Sequence, residues 1–218
     1  MIKFTHNFVS DFNQIYLAGD PYALIRFGDG ERAFATRRPL RSGVGEYDYD
    51  GSDTRTSRKV LEAITANIPG LYLGISCPCC DLKAYTWYKS HKTCPEYQLT
   101  YANIFVNANY PRFQKLDLSN TVLVSCKNGD FTIPEHATNP DWDYKPLLQQ
   151  LFKVDKTILV AAGPIKCGLI LDYWRRAPKK QIILDIGSTL DLKIHGKPTR
   201  CYHTPGTKYA ERICVWGK

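Results

Sequence analysis

The chain has 218 residues, of which 44% are hydrophobic and 23% charged, a composition typical of soluble globular domains and long enough to bury a full core. It contains no run of about 18 apolar residues, and Met1-Ile2-Lys3-Phe4-Thr5-His6 lacks the basic-then-apolar layout of a signal peptide, so neither a membrane span nor export is expected, and the reading is a cytoplasmic protein. Lys and Arg number 29 against 21 Asp and Glu, a formal charge of +8; this favours an anionic partner without choosing among a sugar nucleotide, a polyanionic acceptor, DNA and a membrane surface. Eight cysteines in a chain of this size, without an export signal, read as reduced thiols rather than as a disulfide scaffold.

The first segment places Phe8, Phe12, Ile15 and Tyr16 on one helical face, which Gly19-Asp20-Pro21 stops. Tyr22-Ala23-Leu24-Ile25-Arg26-Phe27 then reads as a buried strand running abruptly into Gly28-Asp29-Gly30-Glu31. Residues 35–52 are polar, rich in Arg and Gly and without periodicity, as in a long surface loop. From Asp53 a helix is expected, with an apolar stripe of Val60, Leu61, Ile64 and Ile68 that ends at Pro69-Gly70.

Strands are expected over residues 71–76, 101–106, 121–125, 157–161 and 181–185, with segments between them long enough for crossover helices. A helix after Gly163-Pro164 is well specified, because Pro suits a first turn and Ile165, Leu169 and Tyr173 repeat at helical spacing. The segment from Cys77 to Tyr97 is partly helical in this reading, and the tail from Leu192 is the least legible part. The alternation predicts one α/β domain over residues 1–218, with a mainly parallel, Rossmann-like sheet flanked by helices.

Three strand ends carry candidate chemistry. In Arg26-Phe27-Gly28-Asp29-Gly30-Glu31 two carboxylates leave a strand with glycines on either side of the first. A hard cation such as Mg²⁺ or Mn²⁺ needs only one or two carboxylates plus a diphosphate, and the glycines let backbone amides approach that diphosphate. The same residues also suit a plain turn and helix start. Leu159-Val160-Ala161-Ala162-Gly163-Pro164 passes from strand to helix through small residues, leaving a helix start open at the sheet edge where α/β ligands bind. Ile182-Ile183-Leu184-Asp185-Ile186-Gly187 ends an apolar strand in an Asp that is either a general base, a clamp on ribose or sugar, or a turn former.

Together these pieces resemble GT-D glycosyltransferases: a strand ending in Arg-Phe-Gly-Asp-Gly-Glu looks like their Asp-X-Glu region, and a Gly-Pro helix start precedes a strand ending in Asp-Ile-Gly at similar spacing. The resemblance spans roughly residues 20–191. It implies metal-dependent transfer of a sugar from a nucleoside diphosphate sugar, such as a UDP-sugar, to an acceptor hydroxyl on a saccharide or glycosylated protein. It also implies that Asp29 and Glu31 hold Mn²⁺ or Mg²⁺, that Arg26, Gly28 and Gly30 line the phosphates, and that Gly163 lies near the nucleotide. Asp185 matches by place, and Asp191 and His203 are further candidates for the base. Cys77-Pro78-Cys79-Cys80 and Thr199-Arg200-Cys201-Tyr202-His203 depart from the family pattern and mark the acceptor side as particular to this chain.

Other readings compete. Cys77, Cys79, Cys80, His91 and Cys94 could supply a structural zinc, although the Cys-x₂-Cys knuckle is missing from the cluster. Cys94 or Cys126 could be a nucleophile if a base faced it. The aromatics and bases of Tyr85-Thr86-Trp87-Tyr88-Lys89 and Asn109-Tyr110-Pro111-Arg112-Phe113 would suit a non-enzymatic nucleic-acid-binding module. The two ideas merge in a glycosyltransferase whose acceptor is a modified base in DNA.

Overall fold

The computed structural model describes residues 2–39, 49, 51–106, 109–134, 142–197 and 200; of Phe8, Val9, Tyr16, Leu17 and Asp29 only the backbone is described. Much of the expected loop at 35–52, and Cys201 and His203 of the tail, lie outside these residues. The elements in chain order are α1 (Phe8–Leu17), β1 (Ala23–Arg26), α2 (Asp29–Thr36), α3 (Thr54–Ile64), β2 (Leu71–Ile75), α4 (Leu82–His91), β3 (Leu99–Tyr101), α5 (Tyr110–Phe113), β4 (Thr121–Ser125), β5 (Phe131–Thr132), α6 (Lys145–Leu151), β6 (Thr157–Ala161), α7 (Lys166–Arg176), β7 (Ile183–Asp185) and α8 (Asp191–His195).

The strands form one seven-stranded sheet in the order β3-β2-β1-β7-β6-β4-β5, and every described pairing is parallel. Parallel strands demand crossovers that cover both faces, so both faces must be apolar. The period-two alternation delivers this. Ala23, Ile25, Leu71, Leu73, Ile158, Val160 and Ile183 face one core with α2, α3, α4, α6 and α7, while Leu24, Tyr72, Leu123, Leu159 and Leu184 face the other with α1, α5 and α8.

Local chemistry sets the helix starts. Asp53 accepts from the Thr56 amide at 2.8 Å and Asn7 accepts from the Ser10 amide at 2.9 Å, each satisfying an amide that has no partner within its helix. Helix α7 is the central brace: Cys167, Leu169, Ile170, Leu171 and Tyr173 are fully buried, each large apolar side chain contributing roughly 1.5–3 kcal/mol.

Three expectations shift. The strand expected over 101–106 is instead β3 at Leu99–Tyr101, because the chain turns after Tyr101, with the Ile104 amide bonded to the Tyr101 carbonyl. Leu61, placed on the stripe of α3, is 37% exposed, and α3 ends at Ile64, before Ile68. No helix among the described residues is long and apolar enough to cross a membrane.

Candidate active site at the carboxyl edge of the sheet

Because all strands run the same way, the ends of β1, β2, β6 and β7 reach one edge of the sheet, where open α/β folds bind ligands. Arg26 is the last residue of β1 and Asp185 the last of β7, a strand paired with β1. Asp29 opens α2 one residue after the N-cap Gly28, and Gly163 begins a 3₁₀ turn that leads into α7 at Lys166. The fold therefore brings Arg26, Gly28, Asp29, Gly30, Glu31, Gly163 and Asp185 to the same edge.

The chemistry at that edge is a buried charge network. Lys166 Nζ lies 2.9 Å from Glu31 Oε1 and 2.9 Å from Asp185 Oδ2. Glu31 Oε2 also accepts from the Gly28 amide at 2.7 Å, the back-reaching half of a capping box. Asp185 is fully buried; its Oδ2 accepts from the Arg26 amide at 2.9 Å and its Oδ1 from the Gly187 amide at 2.9 Å. Burial alone would raise the Glu31 carboxyl, yet the Lys166 ammonium and the Gly28 amide outweigh it, and its pKa is lowered. For Lys166 burial works against the charge, and the carboxylates of Asp185 and Glu31 reverse it, raising its pKa.

Arg26 is the unsatisfied member. The residue is 8% exposed, its guanidinium carbon lies 5.5 Å from the centre of the Phe105 ring, and its Nε is 3.9 Å from Asp185 Oδ1. Its Nε and Nη1 are buried with no hydrogen-bond partner among the described residues. A buried donor without an acceptor costs about 1–3 kcal/mol, more for a charged group, so the arrangement favours an anionic ligand that supplies oxygens. Gly187, at φ +52°, makes room for it: a Cβ there would fall 2.1 Å from Arg26 Nη2.

The site residues expected from sequence therefore separate by environment. Glu31 has both carboxylate oxygens engaged, by Lys166 and by Gly28, and Asp185 is fully buried against Arg26 and Lys166. Asp191, the first residue of α8, is 4% exposed. Sequence reasoning missed Lys166, although a lone Lys inside Ile165-Lys166-Cys167-Gly168-Leu169-Ile170-Leu171 is the signal of a buried, paired ammonium. It also missed Phe105, which carries no such signal.

His91 stacks on Trp87 with ring centres 4.1 Å apart, and Cys94 is buried in the core on the opposite face from Cys77, so the five-residue zinc cluster does not assemble. Burial raises the Cys94 thiol, the wrong direction for a nucleophile. Tyr88 and Phe113 lie in the core, Tyr85 and Trp87 pack partly buried against it, and Tyr110 is half-buried.

No protein-family model matches the sequence, and no curated protein matches it significantly. Three solved structures match in fold. A selenomethionine structure of domain of unknown function 1792 is 14% identical with a TM-score of 0.54, covering 88% of this chain and 79% of that one. A structure of the same domain, described as having a distinct glycosyltransferase fold, is 14% identical with a TM-score of 0.53 at the same coverage. A glycosyltransferase with this domain from Streptococcus sanguinis is 15% identical with a TM-score of 0.51, covering 85% and 82%. The architecture is therefore GT-D-like: one seven-stranded parallel sheet flanked by helices.

Proposed function

We propose that the chain is a glycosyltransferase that moves a sugar from a nucleoside diphosphate sugar to an acceptor hydroxyl on a saccharide or a glycosylated protein. The observation that carries this reading is the buried, unsatisfied guanidinium of Arg26 at the carboxyl edge of a GT-D-like sheet. A diphosphate placed there would supply the oxygens that Arg26 Nε and Nη1 lack, and a guanidinium matches phosphate geometry better than any other side chain. The start of α2 lies at the same edge, and its positive end would favour the same anion.

Lys166, Glu31 and Asp185 act in this reading as a brace. Two carboxylates and one ammonium, all buried, hold the ends of β1 and β7 and the start of α7 in fixed relation, so the phosphate-binding groups need no reorganisation on binding. A divalent ion, Mn²⁺ or Mg²⁺, fits this site in part. Glu31 is spent on Lys166 and Gly28, which leaves Asp29 as the carboxylate to hold the ion, and one carboxylate with diphosphate oxygens is a sufficient set for such a cation. When bound, the ion would offset charge building on the departing nucleoside diphosphate.

In the reaction the anomeric carbon exchanges its bond to the diphosphate oxygen for one to the acceptor oxygen, and the hydroxyl proton goes to a base. Incubating the protein with UDP-, GDP-, TDP- and CDP-sugars with Mn²⁺, and measuring release of free nucleoside diphosphate, tests the reading. Release from one donor class, accelerated by a saccharide acceptor, is the expected result; no release from any donor would count against it.

A further inference from the structure

The turn that follows β2 gathers three thiols. Cys77 is buried, Cys79 half-buried and Cys80 exposed; their sulfurs all lie within 4.8 Å of one another, with those of Cys77 and Cys79 3.2 Å apart. The convergence follows from the backbone. The Cys80 and Asp81 amides both donate to the Cys77 carbonyl at 3.1 Å, and Asp81 then caps α4 by accepting from the Ala84 amide at 2.8 Å. A buried strand on one side and a capped helix on the other hold the turn closed.

These separations suit one ion. Zinc bound tetrahedrally by thiolates at about 2.3 Å sets its sulfurs roughly 3.8 Å apart, a separation that three sulfurs lying within 4.8 Å of one another can adopt with small shifts. Soft sulfur ligands select Zn²⁺ or Cu⁺ over the hard, oxygen-seeking Mn²⁺ and Mg²⁺. Among the described residues no other group of three His, Cys, Asp or Glu side chains comes close enough to share a metal.

We propose that Cys77, Cys79 and Cys80 form a Zn²⁺ site of three thiolates, its fourth position open to water or a small ligand on the exposed side of Cys80. Binding releases the thiol protons, and the resulting net charge of one negative unit lies just ahead of the N-terminal end of α4, which favours it. The site does not depend on the proposed transfer activity, yet it adjoins the edge cradle. Ser76 Oγ donates to the Phe27 carbonyl at 3.5 Å, and Arg32 lies 3.8 Å from Asp81, so a bound ion would stiffen the turn beside β1.

The test titrates the reduced, metal-stripped full-length protein with Co²⁺ as a spectroscopic probe, then displaces the Co²⁺ with Zn²⁺. The expected result is one equivalent per chain, with a thiolate-to-cobalt charge-transfer absorption. Cys79→Ser and Cys80→Ser, neither of them in the core, should each weaken Zn²⁺ at least tenfold, and Cys126→Ser should leave it unchanged. Absence of the charge-transfer absorption, wild-type affinity in the first two variants, or equal weakening by Cys126→Ser would overturn the proposal.

Discussion

Lys166 and Glu31 form an ion pair at 2.9 Å in which each side chain is only 8% exposed. Truncating one partner of such a pair strands a charge in the interior, which costs about 3–5 kcal/mol. Lys166→Met is worse placed than most, since Asp185 shares the same ammonium. It should lower the free energy of urea unfolding by that amount, and a loss under 1 kcal/mol would mean that the network carries little of the fold.

Gly187 and Gly163 invite a paired comparison. Both have positive φ, +52° and +50°, but a Cβ at Gly163 meets nothing within 4 Å, whereas one at Gly187 would meet Arg26 Nη2. Either substitution to Ala pays the left-handed backbone cost of roughly 1–2 kcal/mol. Only Gly187→Ala should also displace the guanidinium, so it is expected to weaken nucleoside diphosphate binding at least tenfold, while Gly163→Ala stays within threefold. Calorimetric titration of both variants checks the contrast.

The sign of the pH dependence follows from the same network. The Glu31 pKa is lowered from 4.5, so its contribution is fully present above that value and is lost as pH falls through the lower folded value. The Lys166 pKa is raised from 10.5, so its contribution holds below that value and fades only at higher pH still. Stability should therefore be flat across neutral pH and drop in acid. Glu31→Gln should flatten the acid limb of the unfolding curve measured between pH 2 and 6, and an unchanged limb would assign acid loss to other carboxylates.

Much of the fold was legible because its strands are buried on both faces and therefore read as continuous apolar runs. Residues 121–125 and 157–161 coincide with β4 and β6, and the Gly163-Pro164 helix start is found where its spacing put it. The strand β3 escaped because Tyr101-Ala102-Asn103-Ile104-Phe105-Val106 is apolar enough for a strand, yet its Ile104, Phe105 and Val106 are buried by a turn instead. At the edge, Arg26, Gly28, Asp29 and Glu31 were visible as one motif, because glycines beside carboxylates at a strand end are a local pattern. Lys166 was not, since its meaning lies in partners distant in sequence. Nor was the spending of Glu31 and Asp185 on that lysine, which only three-dimensional proximity reveals.

The most direct test of the account is calorimetric binding of UDP, GDP, TDP and CDP, with and without Mn²⁺, to the wild-type protein and to Arg26→Met. The variant keeps an apolar side chain beside Phe105 and the backbone amide that serves Asp185 but loses the 3.9 Å ion pair with that carboxylate, so it should fold with a lowered melting temperature. One nucleoside diphosphate should bind the wild type, and its affinity should fall at least tenfold in Arg26→Met. Equal affinity in the two proteins, or no binding of any of the four to the wild type, would contradict it.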